Sequence, residues 1–244
     1  MAVGKGYECH SCGAVFAAGL VRVPRAWGSG GRDMAEAAHL PLSYPEVATI
    51  EEETLAAQSL ALAAALPARP IVLGGCCCGH VGAVEGLSAR GHRVGVVWLD
   101  AHGDLNTAAS SPSGNLWGMP LRMLVDSGTV ASEDVALVGA RNLDPGEAAF
   151  IDESSLSLGV SGIEAAVAGT DTVYLALDCD VLDPAEGVEV FMPEPNGLSF
   201  EAVEKAIETA VSLRPLAGAG ITGLRAAPEN APALERLCAA LIER

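Results

Sequence analysis

Residues 94–106, which read VGVVWLDAHGDLN, decide the fold. The first six residues are apolar and rich in valine, a composition typical of a central parallel strand buried on both faces. Asp100, His102 and Asp104 follow at intervals of two, so that Asp100 and His102 would point the same way from the strand end. The stretch therefore predicts a buried strand that delivers polar side chains to one edge of a parallel sheet.

A second strand repeats this arrangement further along the chain. Residues 173–177 are apolar and are followed by Asp178 and Asp180, and then by Asp183. Because the carboxyl ends of parallel strands meet at one edge of a sheet, we expect the two acidic groups to lie close together. Buried carboxylates repel one another unless cations neutralise them, so this clustering predicts a metal site.

The residue types in the two stretches indicate which metal would bind. The candidate ligands are Asp100, His102, Asp104, Asp178 and Asp180. Carboxylate oxygens with one imidazole suit Mn²⁺ best, with Zn²⁺, Fe²⁺, Co²⁺ or Ni²⁺ as alternatives. Ordinary solvated turns with aspartate caps are the competing interpretation, and they explain one such group more readily than two.

The rest of the chain alternates short apolar runs with amphipathic ones. This pattern predicts a three-layer α/β/α domain with a mostly parallel sheet. The predicted strands are 20–23, 70–73, 94–99, 135–139, 173–177 and 217–224, and the predicted helices are 51–66, 79–87, 145–151, 199–213 and 231–242. The helix over 51–66 is expected to carry acids in its first turn.

Residues 1–18 are interpreted as an appendix to a domain that covers 19–244. The appendix holds Cys9, His10 and Cys12, which form a single CxxC, whereas a zinc ribbon needs two such pairs. A poorly ordered prefix or the remnant of a ribbon is the simpler interpretation. A zinc ion shared between subunits is the alternative.

The net charge and the cysteine content limit which partners and which cellular compartment are expected. A formal charge of −17 disfavours nucleic acid and anionic membranes, because both need clustered Lys and Arg. Seven cysteines, three of them consecutive at 76–78, indicate a reducing compartment rather than a disulfide framework. No apolar run reaches the ~18 residues of a membrane span, and the start is a poor signal peptide, so a cytoplasmic location is expected.

Six segments of the chain resemble motifs of the arginase, agmatinase and related ureohydrolase family. They are LGGCCCGHVG at 73–82, DAHGDLN at 100–106, SGNLWGMPL at 113–121, VGARNLDPGE at 138–147, LDCDVLDP at 177–184 and PEPNGLSFEAV at 193–203. They occur in the family's order. The resemblance implies an arginase-like fold and a hydrolase that attacks a linear C–N bond, amidine-like or amide, of a small molecule with metal-activated hydroxide.

The resemblance also implies a role for each acidic residue in a centre of two ions, usually Mn²⁺. Asp100 and Asp178 would bridge both ions. Asp104 would serve the first ion and orient the hydroxide, whereas His102 and Asp180 would serve the second. The family commonly forms trimers or hexamers, so a homo-oligomer is expected.

The chain departs from the family pattern at three positions. Cys77 replaces a histidine ligand of the first ion, so that either a thiolate favours a softer metal such as Zn²⁺ or Fe²⁺ or the first site is empty; alternatively, the cysteine triplet only fills a tight turn between a strand and a helix with small buried residues. Trp117 replaces a histidine that moves protons, which an indole cannot do, although it can stack on a substrate or serve as a lid. Arg225 replaces an acid that holds a guanidinium; it would bind a carboxylate or phosphate, or pair with an acid such as Asp183.

These departures disfavour arginine and agmatine as substrates and leave two alternatives open. Candidate substrate contacts are Asn106, Ser113, Asn115, Trp117, Asp183 and Arg225. If only the second site fills, Asp100, His102 and Asp180 resemble the mononuclear centre of amidohydrolases similar to histone deacetylases, which favours Zn²⁺ and an amide. The other alternative is a metal-binding relative without catalytic activity.

Overall fold

The computed structural model describes the backbone of residues 2–3, 6–8, 15–16 and 18–242, and the side chains of residues 18–242. Strands β1 (Ala2–Val3), β2 (Gly6–Glu8) and β3 (Val15–Phe16) pair antiparallel in a small sheet. Cys9, His10 and Cys12 lie outside the described residues, so the predicted division into an appendix and a domain stays a prediction.

The main sheet has eight strands, and every neighbouring pair in it is parallel. Its strands are β4 (Gly19–Val23), β5 (Glu46–Thr49), β6 (Pro70–Gly74), β7 (Val94–Leu99), β8 (Val135–Val138), β9 (Ser157–Leu158), β10 (Thr172–Asp178) and β11 (Leu216–Thr222). Their order across the sheet is β5-β4-β6-β11-β10-β7-β8-β9. The parallel α/β fold predicted from the sequence is confirmed.

Helices cover both faces of this sheet. They are α1 (Arg32–Ala37), α2 (Leu55–Ala65), α3 (Gly79–Ser88), α4 (Pro120–Asp126), α5 (Pro145–Glu153), α6 (Ile163–Val167), α7 (Phe200–Leu213) and α8 (Ala231–Ile242). In β7, Val97 and Leu99 pack into a core with α6, α7 and α8, whereas Val96 and Trp98 pack on the other face with α2, α3 and α4. Successive strand residues therefore enter different cores, which produces three layers. None of the described helices is long and apolar enough to cross a bilayer.

One predicted helix boundary is wrong, and several short elements were not predicted. The helix predicted over 51–66 starts at Leu55, because the Thr54 hydroxyl accepts a hydrogen bond from Ala57 N and caps it. The acids at 51–53 therefore precede the helix instead of occupying its first turn. Helices α1, α4 and α6 and the edge strands β5 and β9 have no more than seven residues each, too few for a clear periodic pattern.

The candidate site lies where four neighbouring strands of the main sheet end. These strands are β6, β11, β10 and β7, which are consecutive in the sheet. The register pairs Leu177 with Leu99 and Asp178 with Thr222, so the next residue after β7, Asp100, lies at the level of Asp178. Parallel strands with helices on both faces thus bring residues that are distant in sequence to one edge.

Candidate metal centre

Two overlapping groups of side chains at this edge have the composition of metal ligands. Cys77, Asp100 and Asp104 form the first group, and each offers a ligand atom within 4.8 Å of the other two. Asp100, His102 and Asp180 form the second group by the same measure. Asp100 belongs to both groups, which suits a residue placed between two cation positions.

Asp178 connects the first group to the strand beside it. Its Oδ2 accepts hydrogen bonds from Cys77 Sγ at 3.0 Å and from Thr222 Oγ1 at 3.2 Å, and its Oδ1 accepts from Asp180 N at 3.0 Å. Gly223 follows β11 with φ of +78°, and a side chain there would overlap the Asp178 carboxylate. A glycine is therefore required beside this acid.

All four aspartates are buried, which raises the pKa of each one. Burial and the nearby Asp180 raise the pKa of Asp178 to about 7, and burial and the nearby Asp100 raise the pKa of Asp180 to about 6. The pKa values of Asp100 and Asp104 are raised for the same reasons, burial first and like charge second. Buried carboxylates that lie close together repel one another, and a bound cation relieves this repulsion. Such a group is therefore a candidate binding site for cations.

His102 is held between two of these acids. Its Nδ1 lies 3.1 Å from Asp180 Oδ2 and 3.4 Å from Asp100 Oδ1, and its Nε2 lies 3.6 Å from Glu194 Oε1. Burial alone would lower the pKa of His102, but the hydrogen bonds to Asp100 and Asp180 raise it to about 12. A cation at this position would replace the imidazolium proton as the positive partner of both carboxylates.

The unpaired carboxylate oxygen of Asp104 shows whether a metal ion fits this group of residues. Its Oδ2 is buried and has no hydrogen-bond partner in the part of the chain that the structure describes. Its φ of +53° is in the left-handed region, which non-glycine residues seldom adopt outside functional sites. A buried, unpaired carboxylate oxygen beside further acids fits a cation ligand, so the residues present suit the ions that the sequence predicts.

Cys77 occupies the position where the sequence resemblance implies a histidine ligand. Its thiol is buried and contacts Asp178 at 3.0 Å, Thr222 at 3.1 Å and Asp100 at 3.8 Å. Burial, followed by the negative charges of Asp178, Asp104 and Asp100, raises the pKa of this thiol well above its usual value. His80 lies in the first turn of α3, as predicted, but belongs to neither ligand group.

A cavity of about 170 Å³ opens beside the two ligand groups. Its walls are His102, Asp104, Asn106, Ser111, Ser113, Trp117, Gly118, Asn142, Asp144, Glu147 and Met192. Of the predicted substrate contacts, Asn106, Ser113 and Trp117 lie in these walls. Trp117 is buried and packs edge-on against Phe191, so it is both a wall of the cavity and part of a small apolar cluster.

The other three predicted substrate contacts lie outside the walls of this cavity. The Asn115 side chain accepts a hydrogen bond from Ser29 N, and Asp183 caps a turn by accepting from Ala185 N and Gly197 N. The predicted pairing of Arg225 with Asp183 is wrong. Arg225 Nη1 instead pairs with Asp33 Oδ2 at 2.8 Å, because the unpredicted helix α1 brings that acid within reach.

Comparison with known proteins agrees with this geometry. Residues 29–242 match the model of the arginase family. The chain belongs to the arginase family. It is 37% identical over 165 residues to an arginase of Bacillus caldovelox and 36% identical over 193 residues to an arginase of Brevibacillus brevis. These alignments cover 57% and 68% of this chain but only 55% and 63% of the two relatives.

Solved structures show the same arginase-family fold. The arginase of Bacillus caldovelox superposes with a TM-score of 0.78 at 26% identity, covering 93% of this chain and 98% of that one. The proclavaminate amidino hydrolase of Streptomyces clavuligerus superposes with a TM-score of 0.74, covering 98% of this chain and 92% of that one. Its identity is 17%, so this likeness shows the fold alone.

Several residues of this arginase-family site were not predicted from the sequence. Glu147 accepts hydrogen bonds from Leu105 N at 3.0 Å and Asp144 N at 2.9 Å, and Asp144 in turn accepts from Asn106 Nδ2 at 2.8 Å. The D-x-x-E spacing of Asp144 and Glu147 at the start of α5 is a capping-box signal that could have identified the pair.

Glu147 is expected to stabilise the loop that carries Asp104. Glu147→Ala removes both hydrogen bonds and leaves two backbone N–H groups unpaired, so the free energy of unfolding should fall by roughly 2 kcal/mol. Urea denaturation of the metal-free protein measures this change. Glu153→Ala, an exposed acid at the end of the same helix, is the matched control and should be nearly neutral. Equal losses in both variants would contradict the assigned role.

Proposed function

We propose that this chain is a metal-dependent hydrolase of a linear C–N bond, amidine-like or amide, in a small-molecule substrate other than arginine. The observation that carries the proposal is the convergence of the two ligand groups on a cavity wall, where Asp104 keeps one buried oxygen unpaired. Family membership supports the reaction class. The aligned region spans little more than half of the similar arginases, so the activity is a proposal of its own.

The residues present would hold two Mn²⁺ ions, or one if the position beside Cys77 stays empty, with Zn²⁺ as the alternative. The ligands would be Cys77, Asp100, His102, Asp104, Asp178 and Asp180. Divalent cations bound there would act as Lewis acids and lower the pKa of a water molecule.

The chain's own residues would orient and shield the reaction. Asp104 lines the cavity and would orient a water molecule that enters it. The buried ring of Trp117 closes one wall and limits the entry of further water, while its flat face suits a planar amidine or amide group. Asn106, held by Asp144, presents an amide in the same wall.

Charge in the cavity supports a substrate that carries N–H donors. The walls contain Asp104, Asp144 and Glu147 and no Lys or Arg among the residues that line it. Arg225 stands where the family resemblance implies an acid that holds a guanidinium, and it pairs with Asp33 outside the walls of this cavity. We therefore favour a small amidine-like group over the side chain of arginine.

A second candidate is a mononuclear amidohydrolase. The second ligand group, Asp100, His102 and Asp180, is complete without Cys77. If the thiol of Cys77 keeps its hydrogen bond to Asp178, only this group would bind an ion, and Zn²⁺ with an amide substrate would be favoured.

Metal stoichiometry together with turnover tests the proposal. Protein stripped with chelator and reloaded with Mn²⁺ should contain two ions per chain and release ammonia or an amine from at least one member of a panel of linear amidines and amides. One ion in wild type that rises to two in Cys77→His would favour the mononuclear candidate. A loaded wild type with no turnover on the panel would favour a metal-binding protein without catalytic activity, and no bound metal in either form would overturn the proposal.

Two further properties are proposed on the same basis. We expect a homo-oligomer, a trimer or hexamer, as membership of the arginase family implies. We also expect a cytoplasmic location, which is supported by the five buried cysteines among the described residues, none of which forms a disulfide.

A further inference from the structure

A row of polar side chains lies beneath the first ligand group and has no part in the proposed reaction. It consists of Tyr174 in β10, His80 in α3 and Thr222 at the end of β11, and all three are fully buried. His80 Nδ1 lies 3.0 Å from the Tyr174 hydroxyl, and His80 Nε2 lies 3.4 Å from Thr222 Oγ1. The row thus leads from the interior of the sheet to the metal centre.

The direction of these hydrogen bonds follows from which groups can donate. The His80 ring is fully buried, and its two nitrogens contact only the hydroxyl groups of Tyr174 and Thr222 among the described side chains, so the ring is neutral and has one N–H and one acceptor nitrogen. The buried Tyr174 hydroxyl needs an acceptor, and His80 Nδ1 is the one that the described contacts provide. Tyr174 therefore donates to Nδ1, and His80 Nε2–H donates to Thr222 Oγ1.

Thr222 connects His80 to the metal centre by hydrogen bonds. Since its oxygen accepts from His80, its single hydroxyl hydrogen is left for the other neighbours, of which Cys77 Sγ at 3.1 Å and Asp178 Oδ2 at 3.2 Å are nearer than the Leu177 carbonyl oxygen at 3.4 Å. Thr222 Oγ1, Cys77 Sγ and Asp178 Oδ2 form a compact triangle with sides of 3.0, 3.1 and 3.2 Å. The thiol is thus fixed by the carboxylate on one side and by the hydroxyl on the other.

Close packing keeps the row in place. The His80 ring packs edge-on against Trp98 and Tyr174, with ring centroids 5.0 and 5.8 Å away. A Cβ on Gly220 would lie 2.5 Å from both His80 Nδ1 and the Tyr174 hydroxyl, so a glycine at this point of β11 makes room for their hydrogen bond. Such tight surroundings leave the imidazole no other orientation.

We propose that Tyr174, His80 and Thr222 form a directed hydrogen-bond chain that orients the single Thr222 hydroxyl hydrogen toward the Cys77–Asp178 pair, and so positions Cys77 as a metal ligand. The inference rests on the proposed metal centre and deepens it, because it makes the first position a mixed sulfur and oxygen site. The three residues act through Cys77 and Asp178 and are positioning residues. Groups that orient a ligand in this way commonly change metal affinity by roughly 10–100-fold.

The optical spectrum of the Co²⁺-loaded protein reads out this arrangement without any activity assay. Thiolate bound to Co²⁺ gives a near-ultraviolet charge-transfer band that carboxylate and imidazole ligands do not give. Wild type should show the band, and Cys77→Ser should lose it. Thr222→Val, which keeps the shape of the side chain, should shift the band and weaken Co²⁺ binding by roughly 10–100-fold in competition with a chelator.

Variants of His80 test whether the chain acts as one unit. His80→Phe should weaken Co²⁺ binding as much as Thr222→Val, and the double variant should be little worse than either, because both break the same chain. His80→Gln, whose amide can both accept and donate, should recover part of the affinity. Thr172→Val, at the opposite end of β10, is the matched control and should leave band and affinity unchanged. Circular dichroism confirms that each variant is folded.

The contrary results distinguish the hydrogen-bond chain, the metal centre and the proposed reaction from one another. A wild type that binds Co²⁺ without the charge-transfer band would overturn this inference and leave the proposed centre intact. Wild-type affinity and spectrum in Thr222→Val would overturn it too, even if His80→Phe failed to fold. A wild type that binds no metal would overturn the centre and the inference together, whereas a metal-loaded protein with the expected spectra and no turnover would contradict only the proposed reaction.

Discussion

Asp100→Asn is expected to remove metal binding from both ligand groups, because Asp100 belongs to each of them. The asparagine keeps the shape of the side chain but carries no negative charge, so both cation positions lose a ligand at once. The loss of affinity should exceed the roughly 100-fold that the removal of an outer partner costs. Metal analysis after reloading with Mn²⁺ should therefore find less than one ion per chain.

Asp183→Asn is the matched control for this experiment. Asp178 is the last residue of β10, and Asp183 lies shortly after it in the chain. The Asp183 carboxylate, however, caps a turn outside the cavity. This variant should keep the wild-type metal content. Full metal content in Asp100→Asn, or equal losses in both variants, would refute the assignment of Asp100 to both groups.

The metal-free protein is expected to lose stability as the pH rises from about 5 to about 8. Burial and like charge raise the pKa of Asp178 to about 7 and of Asp180 to about 6, whereas an unfolded aspartate titrates near about 3.9. Between these values the folded state holds more protons than the unfolded state, so the free energy of unfolding falls with rising pH. The stabilisation is complete below about pH 4 and is lost as the pH passes the raised values.

The size of this effect is large for one site. Because the pKa of Asp178 is about 7 in the folded protein and about 3.9 in the unfolded chain, the loss of stability should be on the order of 4 kcal/mol, and Asp180 titrates in the same range. Thermal melts of chelator-treated protein at several pH values would measure it. Mn²⁺ should restore the melting temperature at pH 8, and Asp100→Asn without metal should show a flatter pH dependence because it removes one repelling charge. A metal-free wild type that gains stability between pH 5 and pH 8 would contradict the assigned repulsion.

Much of the fold could be predicted because its strands are buried and uninterrupted. The predicted strand 94–99 coincides with β7, and aspartates at intervals of two after β7 and β10 had to meet once the strands were parallel. The metal-ligand candidates could be predicted from local sequence because each group of acids follows an apolar run.

The supporting residues could not be predicted because their roles depend on contacts between distant strands. Thr222 reads as an ordinary strand residue until the register of β10 and β11 places it opposite Asp178. His80 follows the cysteine triplet, and only the orientation of α3 shows that it lies under the sheet edge against Tyr174. The partner of Arg225 was missed because the short helix α1 was not predicted.

The residues of the proposed centre are far apart in sequence, and this separation affects the order of folding. The contact of Cys77 with Thr222 joins residues 145 positions apart, and its contact with Asp178 spans 101 positions. Contacts of such high sequence separation form only after most of the loop-closure entropy has been lost. Ions bound at the proposed centre would therefore need four central strands that are already aligned, and they would slow the unfolding of the finished domain more than they would speed its assembly.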